Sequence, residues 1–89
     1  MHALADLQQL IRIRYLAHDI QRGAERAFIL FVEEVGELAR AVSRKDGDNI
    51  EEEIGEVLMW LLSLANLHGV DIERAVDRYL SDQANEKPK

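Results

Sequence analysis

No cysteine occurs among the 89 residues, so the chain has no disulfide framework and no thiolate nucleophile or metal ligand. The fold must rest on packing alone. A single proline and five glycines leave few chain breaks. No stretch sustains polar–apolar alternation, so strands are not expected. The longest uninterrupted apolar runs, 57–62 and the equally long 27–32, fall far short of the roughly 18 residues a membrane span needs, and no signal-peptide pattern is present. These absences predict a cytoplasmic protein without a membrane partner. Basic residues are also in deficit. The formal charge of −6 excludes the basic surface that nucleic-acid binding uses, and it makes a bare phosphate ligand unwelcome without accompanying cations.

What remains is 47% hydrophobic and 31% charged, the balance of a small soluble domain. Apolar residues recur at helical spacing in four segments. The first is expected over 2–20, with Leu4, Leu7 and Ile11 in line and Leu10, Ala17 and Ile20 nearby, ending at a break over 21–23. The second is expected over 24–45, closing at Asp46 and Gly47 with Arg44 and Lys45 near the negative end of its dipole. A third is expected over 48–68, opened by a capping box of Asp48 and Glu51. Asp71 is expected to cap a fourth over 72–83. The reading is thus a single all-α domain over 1–83, a four-helix hairpin bundle, with a polar, frayed tail over 84–89. The third helix is apolar nearly all round over 57–65 and must be buried on all sides. Three neighbours in so small a chain cannot cover it, which predicts completion by homo-oligomerisation, as a homodimer or homotetramer.

Two near-identical words stand out, EEVGEL at 33–38 and EEIGEV at 52–57. Each crowds like charges at i,i+3 and i,i+4, which repel by a few tenths of a kcal/mol per pair, and adds a mid-helix glycine, which costs about 0.5–1 kcal/mol against alanine. On the second helix an apolar stripe runs through Phe28, Phe31, Val32, Val35, Leu38, Ala39 and Val42, with Glu34 at its edge and Ala27, Leu30 and Ala41 on its other side. Gly36 and Gly55 read as positions that let helices approach closely. A short turn near Gly47 makes the two helices antiparallel, so Glu34 and Glu37 are expected to face Glu53 and Glu56 across the hairpin. Four converging carboxylates need a counter-charge, and an all-oxygen set favours Mg²⁺, with Mn²⁺ as the alternative. The competing reading is an ordinary solvated acidic face, and it suits Glu33 and Glu52 best. Trp60 lies on the line of Glu53 and Glu56, where it is either core or a surface for base stacking. No E-x-x-H motif, Ser-His-Asp set or glycine-rich phosphate loop occurs.

These words, with the stretch from Trp60 to Asp71, resemble the MazG-like nucleotide pyrophosphohydrolases of the all-α NTP pyrophosphatase superfamily. The resemblance covers about 19–80 and follows the family's E-x-x-E … E-x-x-D pattern. It implies cleavage of a nucleoside triphosphate between the α and β phosphates, giving the monophosphate and pyrophosphate, in a role such as cleansing the nucleotide pool. It further implies that Glu34, Glu37, Glu53 and Glu56 hold Mg²⁺, that Glu34 and Glu37 are catalytic, and that subunits associate through helices. Trp60 matches an aromatic position near the base. There are two departures. Glu56 stands where the family has Asp, which moves its carboxylate outward by one methylene. The fourth helix also offers only Arg78 as an obvious substrate-binding cation, with Arg22, Arg44 and Lys45 as other candidates for holding the phosphates, none of them assigned by the resemblance. These departures support an alternative in which the helical oligomer binds nucleotide or metal as a regulatory module without catalysis.

Overall fold

The scarcity of helix breakers translates into four α-helices and no strand among the described residues, 3–83 of a computed structural model. They are α1 (Leu4–Arg22), α2 (Ala24–Ser43), α3 (Gly47–Leu67) and α4 (Ile72–Gln83). The expected start of α1 at His2 and the polar tail over 84–89 lie outside the described residues. None of the helices is long and apolar enough to cross a membrane.

Three boundaries differ from the sequence expectation, each for a local reason. α1 continues past Ile20 through Arg22, and the break is the single residue Gly23. Its φ of 98° and ψ of 145° suit glycine alone, and its N–H donates to the Asp19 carbonyl at 2.9 Å. α2 stops at Ser43, because Lys45 turns left-handed at φ 54° and donates its N–H to the Val42 carbonyl. The cap of α3 is Asp46 and not Asp48: the Asn49 N–H donates to Asp46 Oδ1 at 3.3 Å. Asp48 instead lies in the first turn, where its charge meets the positive end of the helix dipole. Asp71 caps α4 as expected, accepting from the Arg74 N–H at 3.2 Å.

α3 is the central element, packed by α2 on one side and α1 on the other, while α4 leans on α1. Ile11, Ala27, Ala41, Leu62, Leu64 and Ala65 are buried, and Leu62 is wholly enclosed. A polar clasp ties α1 to the α3–α4 turn. Gln8 Nε2 donates to Asn66 Oδ1 at 3.0 Å and to the Val70 carbonyl at 2.7 Å. Its Oε1 accepts from the Ile72 N–H at 2.9 Å, and Asn66 Nδ2 donates back to the Gln8 carbonyl. The buried Asn66 is thereby satisfied, as a buried amide must be.

The inward faces are not the expected stripes. On α2 the packed line is Ala27, Leu30, Phe31, Glu34, Leu38 and Ala41, so the half-buried Glu34 lies within the packed face, between Ala27 and Leu30 on one side and Leu38 and Ala41 on the other. Much of the expected stripe, Phe28, Val32, Val35 and Val42, faces outward. On α1, Asp19 turns inward at 3% exposure while Ile20 is left 62% exposed, since Ile20 lies nearly opposite Ile11 around the helix. α3 is enclosed only over 62–66; Ile54, Leu58 and Leu61 form an exposed apolar line within the single chain. Gly36 and Gly55 do not mediate close approach in the chain, because a Cβ at either would meet nothing within 4 Å.

Two stability measurements test this packing. Leu62→Ala is expected to lower the unfolding free energy by about 2–5 kcal/mol in chemical denaturation. Gly36→Ala is expected to raise it by about 0.5–1 kcal/mol, since an open, exposed helical position gains propensity without a clash.

Candidate functional site

The hairpin of α2 and α3 brings the two acidic words together. Glu34, on the packed face of α2, is within hydrogen-bonding reach of Glu53 and within Coulomb range of Glu56 and Glu37. Desolvation comes first, followed by the contact with Glu53 and then by repulsion from Glu56 and Glu37. Together they push the Glu34 carboxyl up from 4.5 to about 7. Two carboxylates in contact can hydrogen-bond only while one keeps a proton. When both are ionised, a buried oxygen is orphaned, and Glu53 Oε2 is buried without a donor. Glu33 and Glu52 are exposed.

Four acids crowded this way present hard oxygen donors and an excess of negative charge. That is the chemistry a divalent cation such as Mg²⁺ would satisfy. Among the described residues, no three His, Asp or Glu side chains already stand in coordinating distance of one point. Unneutralised carboxylates repel and splay, so drawing them together requires the cation's own charge. The donor set and the orphaned oxygen fit such an ion.

Beside the acids, α1 and α3 enclose a cleft of about 780 Å³. Its α3 wall carries Glu52, Glu56, Met59 and Trp60; its α1 wall carries Arg14, His18, Asp19 and Arg22. Glu56 therefore belongs both to the carboxylate group and to the cleft. The Arg22 guanidinium lies over the Trp60 ring, 5.2 Å from its centroid, and its Nη1 donates to Asp19 Oδ1 at 3.2 Å.

The structure thus gathers Glu34, Glu37, Glu53, Glu56 and Trp60 around the α2–α3 hairpin and its border with α1. It does not bring Arg78 to them. Arg78 is on α4, its side chain 84% exposed and 3.6 Å from Asp82, facing a different depression near Gly69 and Arg74. The sequence reading named Arg22 of α1 as one candidate cation but missed Arg14, His18 and Asp19 on the same helix. The signal was present: Arg14, His18 and Arg22 recur at i, i+4 and i+8, with Asp19 one turn before Arg22.

The chain belongs to the MazG nucleotide pyrophosphohydrolase family, whose domain profile matches residues 22–88. The matched span begins at Arg22, takes in both acidic words and continues through α4. A curated relative, the uncharacterised protein YpjD of Bacillus subtilis (strain 168), is 41% identical across 54% of this chain and 52% of its own. The chain therefore spans about half the length of that relative.

The raised Glu34 carboxyl fixes a pH dependence. Between 4.5 and about 7 the folded state binds a proton that the unfolded state has released, so stability falls as pH rises through this window. In metal-free buffer the melting temperature is expected to be higher at pH 5 than at pH 7.5. Glu34→Gln, which supplies Glu53 with an N–H donor, should raise the value at pH 7.5 and shrink the difference; an unchanged pH profile would refute the coupling.

Proposed function

We propose that the chain is a Mg²⁺-dependent nucleoside triphosphate pyrophosphohydrolase that releases pyrophosphate and a nucleoside monophosphate. The observation that carries this reading is the gathering of four acids around a proton-holding Glu34 and an orphaned Glu53 oxygen, in a chain of this family. Glu34, Glu37, Glu53 and Glu56 would hold the ion, with Mn²⁺ as the alternative. The ion would supply charge neutralisation for the phosphate oxygens and for the attacking water. An attacking water held against Glu37, or against Glu34 in its ionised form, forms the new P–O bond at the α phosphorus and gives its proton to that carboxylate. Pyrophosphate departs with the electron pair of the α–β anhydride bond. Trp60 walls the substrate cleft next to Glu56.

The four helices would act as one MazG-like domain, completed by a second copy. Two exposed apolar stripes support this: Phe28, Val32, Val35 and Val42 on α2, and Ile54, Leu58 and Leu61 on α3. A homodimer or a homotetramer would cover them.

A second reading, nucleotide and metal binding without turnover, is favoured by Glu56 in place of the family Asp, because Mg²⁺ holds its ligands to near-ideal octahedral geometry. The two separate in one experiment. A pyrophosphate-release screen over common and modified nucleoside triphosphates is expected to show turnover that needs Mg²⁺ or Mn²⁺. Glu37→Gln should lower it at least about a hundredfold, the scale on which a positioned acid–base group contributes. Millimolar Mg²⁺ should also raise the melting temperature at pH 7.5, and Glu53→Gln should remove most of that rise. Tight Mg²⁺-nucleotide binding in calorimetry with no pyrophosphate released would favour the second reading instead.

A further inference from the structure

We propose that Arg22 is the polyphosphate-binding residue of the cleft, mounted for that task by Asp19 and Trp60. The inference rests on the reading of the site as a nucleoside triphosphate site, and it goes beyond it by naming the cation the acidic cluster lacks. Three observations carry it. Arg22 lines the same cleft as Glu56, the member of the carboxylate group that borders it. Its guanidinium is fixed from two sides, by the nearly buried Asp19 carboxylate at 3.2 Å and by the Trp60 ring at 5.2 Å. Arg14 and His18 continue the same wall at one-turn intervals, opposite Glu52 and Glu56.

The donor count leaves capacity for a ligand. A guanidinium has five N–H donors, and Asp19 takes one of them here, through Nη1. The side chain keeps 26% of its surface open, so the remaining edge of the fork is available to phosphate oxygens, which match its geometry. Asp19 also offsets the desolvation of the cation, so the charge can wait in a cleft with an apolar floor. The same arrangement revises the part played by Trp60. One face of its ring is already covered by Arg22, so a base cannot stack there while Arg22 stays in place. Trp60 is a positioning residue for the cation, and Asp19 is a second. Arg78, exposed and tied to Asp82 on another helix, is not needed for this task within the chain.

The test is a calorimetric titration of the full chain with inorganic pyrophosphate in excess Mg²⁺, with Mg²⁺ alone and a phosphate-free nucleoside as separate arms. The wild type is expected to bind pyrophosphate saturably. Arg22→Gln should weaken that binding about ten- to a hundredfold, the value of a lost charge-assisted contact, while its affinity for Mg²⁺ alone stays at the wild-type level. Arg22→Lys should recover part of the loss, and Asp19→Asn should weaken pyrophosphate binding with Arg22 still present. If Arg22→Gln fails to fold because Asp19 is left buried and unpaired, Asp19→Asn with Arg22→Gln keeps the pair neutral and carries the same comparison. In turnover, the loss should appear in KM more than in kcat.

Wild-type pyrophosphate affinity in either neutral variant would overturn the assignment, as would a wild type that does not bind pyrophosphate. A loss of equal size in the nucleoside arm would also overturn it, since Arg22 would then serve the base. The two proposals fail separately. Arg22-dependent pyrophosphate binding without nucleotide hydrolysis removes the enzymatic reading and leaves this one standing. Hydrolysis undisturbed by Arg22→Gln does the reverse.

Discussion

Glu34 on the packed face of α2 is the constraint around which the hairpin is arranged. A carboxylate in that position loses water, meets Glu53 directly and feels Glu56 and Glu37, so it keeps its proton to about pH 7. A purely structural hairpin would do better with leucine there, because a crowded, partly desolvated acid lowers stability in neutral solution. The Ala27, Leu30, Phe31, Leu38 and Ala41 that flank it supply the burial that keeps α2 against α3 despite the repulsion. The orphaned Glu53 oxygen is the other side of the same conflict. Under the proposed reading, a divalent cation resolves both at once.

The α1–α3 contact answers the acids with charge of the opposite sign. Gly23 is what allows this: its positive φ ends α1 directly after Arg22 and begins α2 one residue later, so Arg22 and Asp19 lie at a rigid corner. A longer, looser connection would leave Arg22 on a mobile segment with several water-exposed positions to choose from. Asp19, one turn earlier and buried, limits that choice to the face of Trp60. The Gln8–Asn66 clasp holds the far end of α1 against the α3–α4 turn, so α1 is pinned at both ends.

Helix number and type were legible in the sequence because scarce proline, scarce glycine and a 3.6-residue apolar period leave few alternatives. The family was legible from the resemblance of the two acidic words and the 60–71 stretch to known sequences, and the approach of the words from i,i+3 acids on antiparallel helices. The faces were less legible. α2 is apolar around much of its circumference, so periodicity alone could not choose between the line of Phe28 and Val35 and the line of Ala27 and Glu34. On α1 the inward position goes to Asp19 and not Ile20, because Ile20 lies nearly opposite the buried Ile11 around the helix, and the ion pair with Arg22 offsets the desolvation of the Asp19 carboxylate. The two mid-helix glycines misled for a different reason. Their cost is visible in any helix, but the space around them is a property of neighbours, and within this chain that space is open.

The sequence by itself determined the four helices and, through its resemblance to known sequences, the family, because helices depend on local spacing and residue chemistry. Only the tertiary structure decided which acid is desolvated, which cation stands beside the acids and what lies on the face of Trp60. Those depend on the angle at which α1 and α2 meet α3, set by Gly23 and by packing between residues far apart in the chain. Desolvation and cation–π contact act over a few ångströms in space and leave no periodic trace in sequence.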